Sequence, residues 1–157
     1  PGFPHRALQG RPAGLEGHAP FLATRGVSAP VEWEAIEARL AQSRNVDATV
    51  AIFLARGGPG DWQRAEEALA SAQRSGATEN DRGVLLLARG HAERALSHFE
   101  AALRLDPSLH AARFNHALAL ETLGRDAEAR AAWQLYLDRA DDSEAGWIDE
   151  ARSHLAR

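Results

Sequence analysis

Seven histidines are the residues of this 157-residue chain best suited by type to metal or acid–base chemistry. A zinc pair on a helix needs imidazoles four residues apart, so that both rings leave one face. His91 and His98 are seven apart, His110 and His116 six apart, and the chain holds neither Cys nor a His-Glu-x-x-His run. The spacing suits scattered surface or interfacial histidines and no metal site. Gly57-Gly58-Pro59-Gly60 is rich in glycine, but a phosphate cradle needs an unbroken set of N–H groups followed by Lys-Ser/Thr on a helix. No Lys follows, and Pro59 removes one N–H, so no nucleotide is expected. No Ser sits in a Gly-x-Ser-x-Gly turn. Glu66 and Glu67 are adjacent, and adjacent helical positions point apart, which suits solvated faces better than an acid/base couple. We therefore expect neither enzymatic chemistry nor a cofactor.

The four tryptophans could instead form an aromatic binding surface. Trp133 stands in the packing frame described below, and Trp33 and Trp147 lie in flanking helices where they would serve as cap packing. If any Trp is an exposed anchor, the choice falls on Trp62, beside the glycine-rich loop.

The elements that must position these residues are helical. Ala and Leu dominate the apolar share, and both enter helices at little entropic cost, whereas the β-branched and aromatic residues of sheets are sparse. The net charge of −4 is too mild for a nucleic-acid or anionic-membrane partner. No run approaches the ~18 apolar residues of a membrane span, and no signal peptide is visible. The chain opens at Pro1 and contains no Met, which leads us to expect a piece of a longer protein. Its compartment stays open, with the cytoplasm preferred and the periplasmic face of a membrane-anchored parent as the alternative.

Residues 1–29 read as an irregular Pro/Gly-rich arm without a 3.6 or 2.0 period, though Phe3, Leu8, Leu15, Phe21 and Leu22 make it too apolar for a plain linker. From Pro30 the period becomes helical. Trp33, Ile36 and Leu40 mark a first helix, and Val50, Phe53 and Leu54 a second, from about Asp47 to Arg56. Asp61 is placed to cap a third helix, which Gly76 would end. Thr78 and Asp81 resemble a cap for a fourth, closed by a turn at Gly90. Further helices follow over 91–105, 109–123 and 126–139, and a last one carries Trp147, Ile148, Ala151 and Leu155. The expectation is about eight helices.

The helices repeat. Gly90, Ala95, Phe99 and Ala102 return 34 residues later as Gly124, Ala129, Trp133 and Tyr136, and Gly60, Ala65, Leu69 and Ala72 precede them by 30. A small Ala lets paired helices approach, an aromatic one turn later fills the gap beside it, and Gly supplies the tight turn between them. Pro107 ends one pair and starts the next.

On these residues the chain resembles tetratricopeptide repeats, whose period is 34. Residues 76–109 and 110–143 resemble two repeats and 46–75 a degenerate third, flanked by a helix at 30–45 and a capping helix at 144–157. Asn115, Ala117, Leu120, Gly124, Ala129 and Trp133 match the family's small and large positions in order, and Gly83 matches its first-helix glycine. The family's early Trp is replaced by Glu79 in one copy and Arg113 in the other. The resemblance implies an all-α, right-handed superhelix of antiparallel helix pairs and a non-enzymatic interaction scaffold. First helices of the family line a concave groove that holds peptides; by frame, the groove positions here are Asn80, Val84, Leu87, Phe114, Leu118 and Glu121. A Lys/Arg/Asn clamp for a C-terminal carboxylate is disfavoured, since all 18 basic residues are Arg and only Asn115 matches it. The mainly apolar groove suits a hydrophobic helix or extended peptide, a neighbouring domain of the parent chain, or the chain's own N-terminal arm. The arm and the closing segment are also similar to regions around repeats in large bacterial proteins. There such repeats stand beside a caspase-like CHAT protease domain, which gives a regulatory segment as the alternative function.

Overall fold

The computed structural model describes residues 59–141 and 145–157. They form six α-helices, with no strand among the described residues. These are α1 (Pro59–Ser71), α2 (Gly76–Ala88), α3 (Ala92–Leu105), α4 (His110–Thr122), α5 (Asp126–Leu137) and α6 (Ala145–Leu155). The expected arm and the helices over 30–45 and 47–56 lie outside the described residues.

The two expected glycine turns are present and alike. Gly90 has φ +81° and Gly124 φ +71°, the left-handed region that costs other residues most. In the first turn Gly90 N–H donates to Leu87 O (3.0 Å) and His91 N–H to Leu86 O (2.9 Å). In the second, Gly124 N–H donates to Glu121 O (2.9 Å) and Arg125 N–H to Leu120 O (3.0 Å). This crossed pair satisfies the last carbonyls of a helix and reverses the chain. It folds α2 onto α3 and α4 onto α5.

The start of α2 differs from expectation. Gly76 does not end the preceding helix; α1 stops at Ser71 and Gly76 opens α2. The cap is Ser75, whose Oγ accepts from Thr78 N–H (3.1 Å) while Thr78 Oγ1 accepts from Ser75 N–H (2.8 Å). Two otherwise orphaned donors are satisfied reciprocally, with Thr in the place usually held by Glu or Gln. Between α3 and α4, Asp106 Oδ1 accepts from Ser108 N–H (2.9 Å) and Oγ–H (2.6 Å), making the turn that Pro107 initiates. Those two bonds hold the Asp106 carboxyl below its ordinary pKa.

Consecutive helices pack on one another, and α2 also touches α4, so the first helices of the two pairs lie side by side. Ala65, Ala95, Ala102, Ala117 and Ala129 are buried, small side chains that let helices approach one another. Phe99 lies on Gly83, where a Cβ would overlap its ring. In the second pair Phe114 is the hub: edge-to-face contacts join it to Trp133 (4.8 Å), Tyr136 (5.4 Å) and Trp147 (5.0 Å). Each such contact adds about 0.5–1.5 kcal/mol beyond the area buried. Trp133 is therefore core, and Trp147 packs α6 onto the second pair, both as the spacing implied. Trp62 is not an exposed anchor: it is partly buried against the core, and its Nε1 is buried without a hydrogen-bond partner.

Candidate functional site

The six positions assigned to a groove do not form an open surface. Asn80 (0% exposed), Val84 (1%), Leu87 (5%), Phe114 (1%) and Leu118 (8%) are all buried, and only Glu121 is half-exposed. By helical spacing Asn80, Val84 and Leu87 share one face of α2, and Phe114 and Leu118 one face of α4; both stripes are buried. Phe114 packs under Trp147 of α6. Asn80 Oδ1 accepts a hydrogen bond from Asn115 Nδ2 (2.8 Å), and Asn80 Nδ2 donates to Asp81 Oδ1 (3.0 Å). Asn80, Asp81 and Asn115 are each fully buried. Inside a low-dielectric core such a chain fixes the register of α2 against α4, because sliding either helix would strand a polar group.

Glu121 is occupied within the fold. Its Oε2 accepts from Trp133 Nε1 (3.1 Å) and pairs with His154 Nδ1 (2.7 Å), while Arg157 Nη1 stands 3.7 Å from Oε1. The His154 ring stacks on Trp133 at 4.6 Å and 16°. The last residue of the expected groove thus ties α6 to α4 and α5.

A second carboxylate of this kind was not singled out from the sequence. Glu79, 5% exposed, accepts from Arg74 Nε (3.1 Å) and Arg82 Nη1 (2.9 Å) on Oε1 and pairs with His98 Nδ1 (2.8 Å) on Oε2. Burial acts to raise its pKa. The hydrogen bonds from His98 and Arg74 and the charges of His98 and Arg82 outweigh that and hold the carboxyl below its ordinary value. The available signal was Glu79 itself: a carboxylate at a buried helical position needs cationic partners from the neighbouring helix and turn. Arg82 also donates Nη2 to the Leu69 carbonyl (2.8 Å), linking α1 to α2.

Beside this cluster, α1, α2 and α3 enclose a cleft of about 230 Å³. Leu69, Leu85 and Leu86 form its floor, and Arg82, Arg89, Arg94 and His98 stand around it with Glu66. On α2 the cleft residues 82, 85, 86 and 89 leave the helix on a different face from 80, 84 and 87. A second cleft of about 240 Å³ includes Glu121, Trp133 and His154, where mixed charges face one another.

No group of three or more His, Asp or Glu able to hold a metal ion occurs among the described residues. No helix among them is long and apolar enough to cross a membrane. His98 and His154 bind carboxylates, and His116, half-buried on α4, has its pKa lowered by burial.

No protein-family model matches the chain. Over 49 residues it is 47% identical to an uncharacterized protein of Methanocaldococcus jannaschii, a stretch covering 31% of this chain and 57% of that relative. The chain thus matches little more than half the length of this relative, whose description brings no activity with it.

Proposed function

We propose that the chain is a non-enzymatic protein-interaction scaffold, a right-handed superhelix of tetratricopeptide-type helix pairs that holds a protein or peptide partner. A neighbouring domain of the same parent chain is one such partner. The observation that carries this reading is the duplicated turn. Two helix pairs with the same crossed hydrogen bonds at Gly90 and Gly124 stand 34 residues apart, and α2 lies against α4. Repeating pairs cover one another's apolar faces and leave a long lateral surface for contacts. The stripe of Asn80, Val84, Leu87, Phe114 and Leu118 serves as packing, so the partner surface lies on the faces that flank it.

A peptide array probed with the purified chain, followed by calorimetry on the peptides retained, tests the proposal. A scaffold gives saturable binding with defined stoichiometry for a chemically coherent set of peptides. Failure of every peptide to bind saturably would contradict it.

A further inference from the structure

The cleft between α1, α2 and α3 combines an apolar floor with an excess of guanidinium groups. Leu69 and Leu85 are buried beneath it, and Leu86 is half-buried. Arg82, Arg89 and Arg94 line it with one carboxylate, Glu66, and the neighbouring Glu79 is already paired with Arg74 and Arg82. This is a local positive surplus on a chain whose net charge is −4.

The cations differ in how firmly they are held. Glu79 engages Arg74, Arg82 and His98 with both oxygens, and Arg82 is further fixed on the Leu69 carbonyl. Arg82 and His98 are therefore part of the wall. Arg89 pairs with Glu66 at 3.0 Å, but the two side chains are 31% and 60% exposed; pairs of this kind are worth under about 1 kcal/mol and exchange readily. Arg94 is exposed and has no hydrogen bond or ion pair among the described residues. Arg89 and Arg94 thus offer planar forks to an incoming carboxylate. The volume, below the roughly 300 Å³ at which small-molecule pockets begin, suits an inserted side chain better than a cofactor.

We infer that this cleft docks an acidic peptide, placing an aliphatic side chain on Leu69, Leu85 and Leu86 and a neighbouring Glu or Asp carboxylate on Arg89 and Arg94. The inference rests on the scaffold reading and names the site and chemistry of one partner. Because the attraction is between exposed charges, it weakens with salt.

The test uses the full 157-residue chain and two fluorescein-labelled probes. One is a peptide of repeated Leu-Glu-Glu-Leu-Leu-Glu-Glu; the other has Gln at every Glu. Fluorescence anisotropy should show the Glu probe binding more tightly than the Gln probe, and less tightly as salt rises. The double variant Arg89→Gln/Arg94→Gln, with unchanged helical circular dichroism, should lose about tenfold in affinity for the Glu probe, as expected for one charge-assisted contact. Its affinity for the Gln probe should not change. Equal affinity of the wild type for the two probes would overturn the acidic preference while leaving the scaffold reading intact. Undiminished Glu-probe binding by the double variant would move the site elsewhere and overturn the cleft. Absence of binding by either probe would also overturn it, and the peptide array then decides separately whether the chain is a scaffold. Self-association of the wild type that the double variant loses, with no probe bound, would replace the peptide by a second copy of this acidic chain.

Discussion

The two helix pairs share a turn and differ in what lies between their helices. In the first, the space holds Phe99 on Gly83 and a carboxylate, Glu79, gripped by His98 and two arginines. In the second, the positions 34 residues on are Trp133, Ala117 and Arg113, and the space fills with rings around Phe114. Arg113 turns instead to the Pro107 carbonyl in the loop before α4. The second pair has its own carboxylate, Glu121, with the same His Nδ1 contact, but at the end of α4 and reaching forward to α6. The turn is thus set by backbone requirements that both copies must meet, while the filling is free to change wherever size and polarity are compensated. The paired carboxylates show two uses of one device: inside a pair it locks neighbouring helices, and at the edge it fastens the next helix on.

The largest expected effects come from filling or charging the space both pairs need. Ala95 is fully buried, and Ala95→Trp has nowhere to place an indole between α2 and α3. We expect loss of the cooperative thermal transition by circular dichroism. A wild-type melt would refute the close approach. Phe114→Glu should do the same in the second pair. Read from sequence as a groove residue, Phe114 would tolerate that change; as the hub of the ring cluster it cannot, because a buried unpaired carboxylate costs several kcal/mol. Retained stability would restore the open groove.

Smaller effects separate the two carboxylates. Glu79→Gln leaves Arg82 and His98 without their anion and should cost about 1–3 kcal/mol in urea unfolding. Glu121 is 31% exposed, so Glu121→Gln should cost less than about 1 kcal/mol, with amide exchange raised in α6 alone. Equal costs would erase the distinction between interior lock and edge fastener.

The smallest effect is titration. Burial holds His116 below its ordinary 6.5, so the unfolded chain takes up that proton first. The stability carried by the neutral ring is complete above pH 6.5 and diminishes as pH falls below it. Glu79, held below 4.5, adds stability that is complete above that value and disappears as pH falls through its folded pKa. The melting temperature should therefore fall in two steps from pH 7 to pH 3. His116→Gln should flatten the upper step, and Glu79→Gln should shrink the lower one, which Asp106 shares. A variant whose profile keeps its step at full size would contradict the corresponding assignment.

Much of the helical framework could be read from residue types. Gly90 and Gly124 announce their turns because few residues tolerate positive φ, and Ala95, Phe99, Ala129 and Trp133 announce the packing because small and large alternate at helical spacing. The start of α2 was misplaced because a Thr in the cap's partner position hides the reciprocal bonds with Ser75, leaving Gly76 to look like a stop. The groove was the larger difference. Periodicity says which side chains share a face, as it does for Asn80, Val84 and Leu87 and for Phe114 and Leu118. It does not say whether a face is covered, and Trp147, more than 30 positions beyond Phe114 in the chain, supplies part of that cover. Pairings such as Glu79 with His98 escaped for the same reason: they depend on which helices meet.

The central claim is that the two pairs stack as one repeating unit, α2 against α4, and the buried link between Asn80 and Asn115 tests it most directly. A double-mutant cycle of Asn80→Ala and Asn115→Ala, read by urea unfolding, should give a coupling energy of about 0.5–1.5 kcal/mol, the worth of one direct hydrogen bond. Strictly additive costs would mean that the two side chains do not meet, and would contradict the stacking on which the scaffold rests.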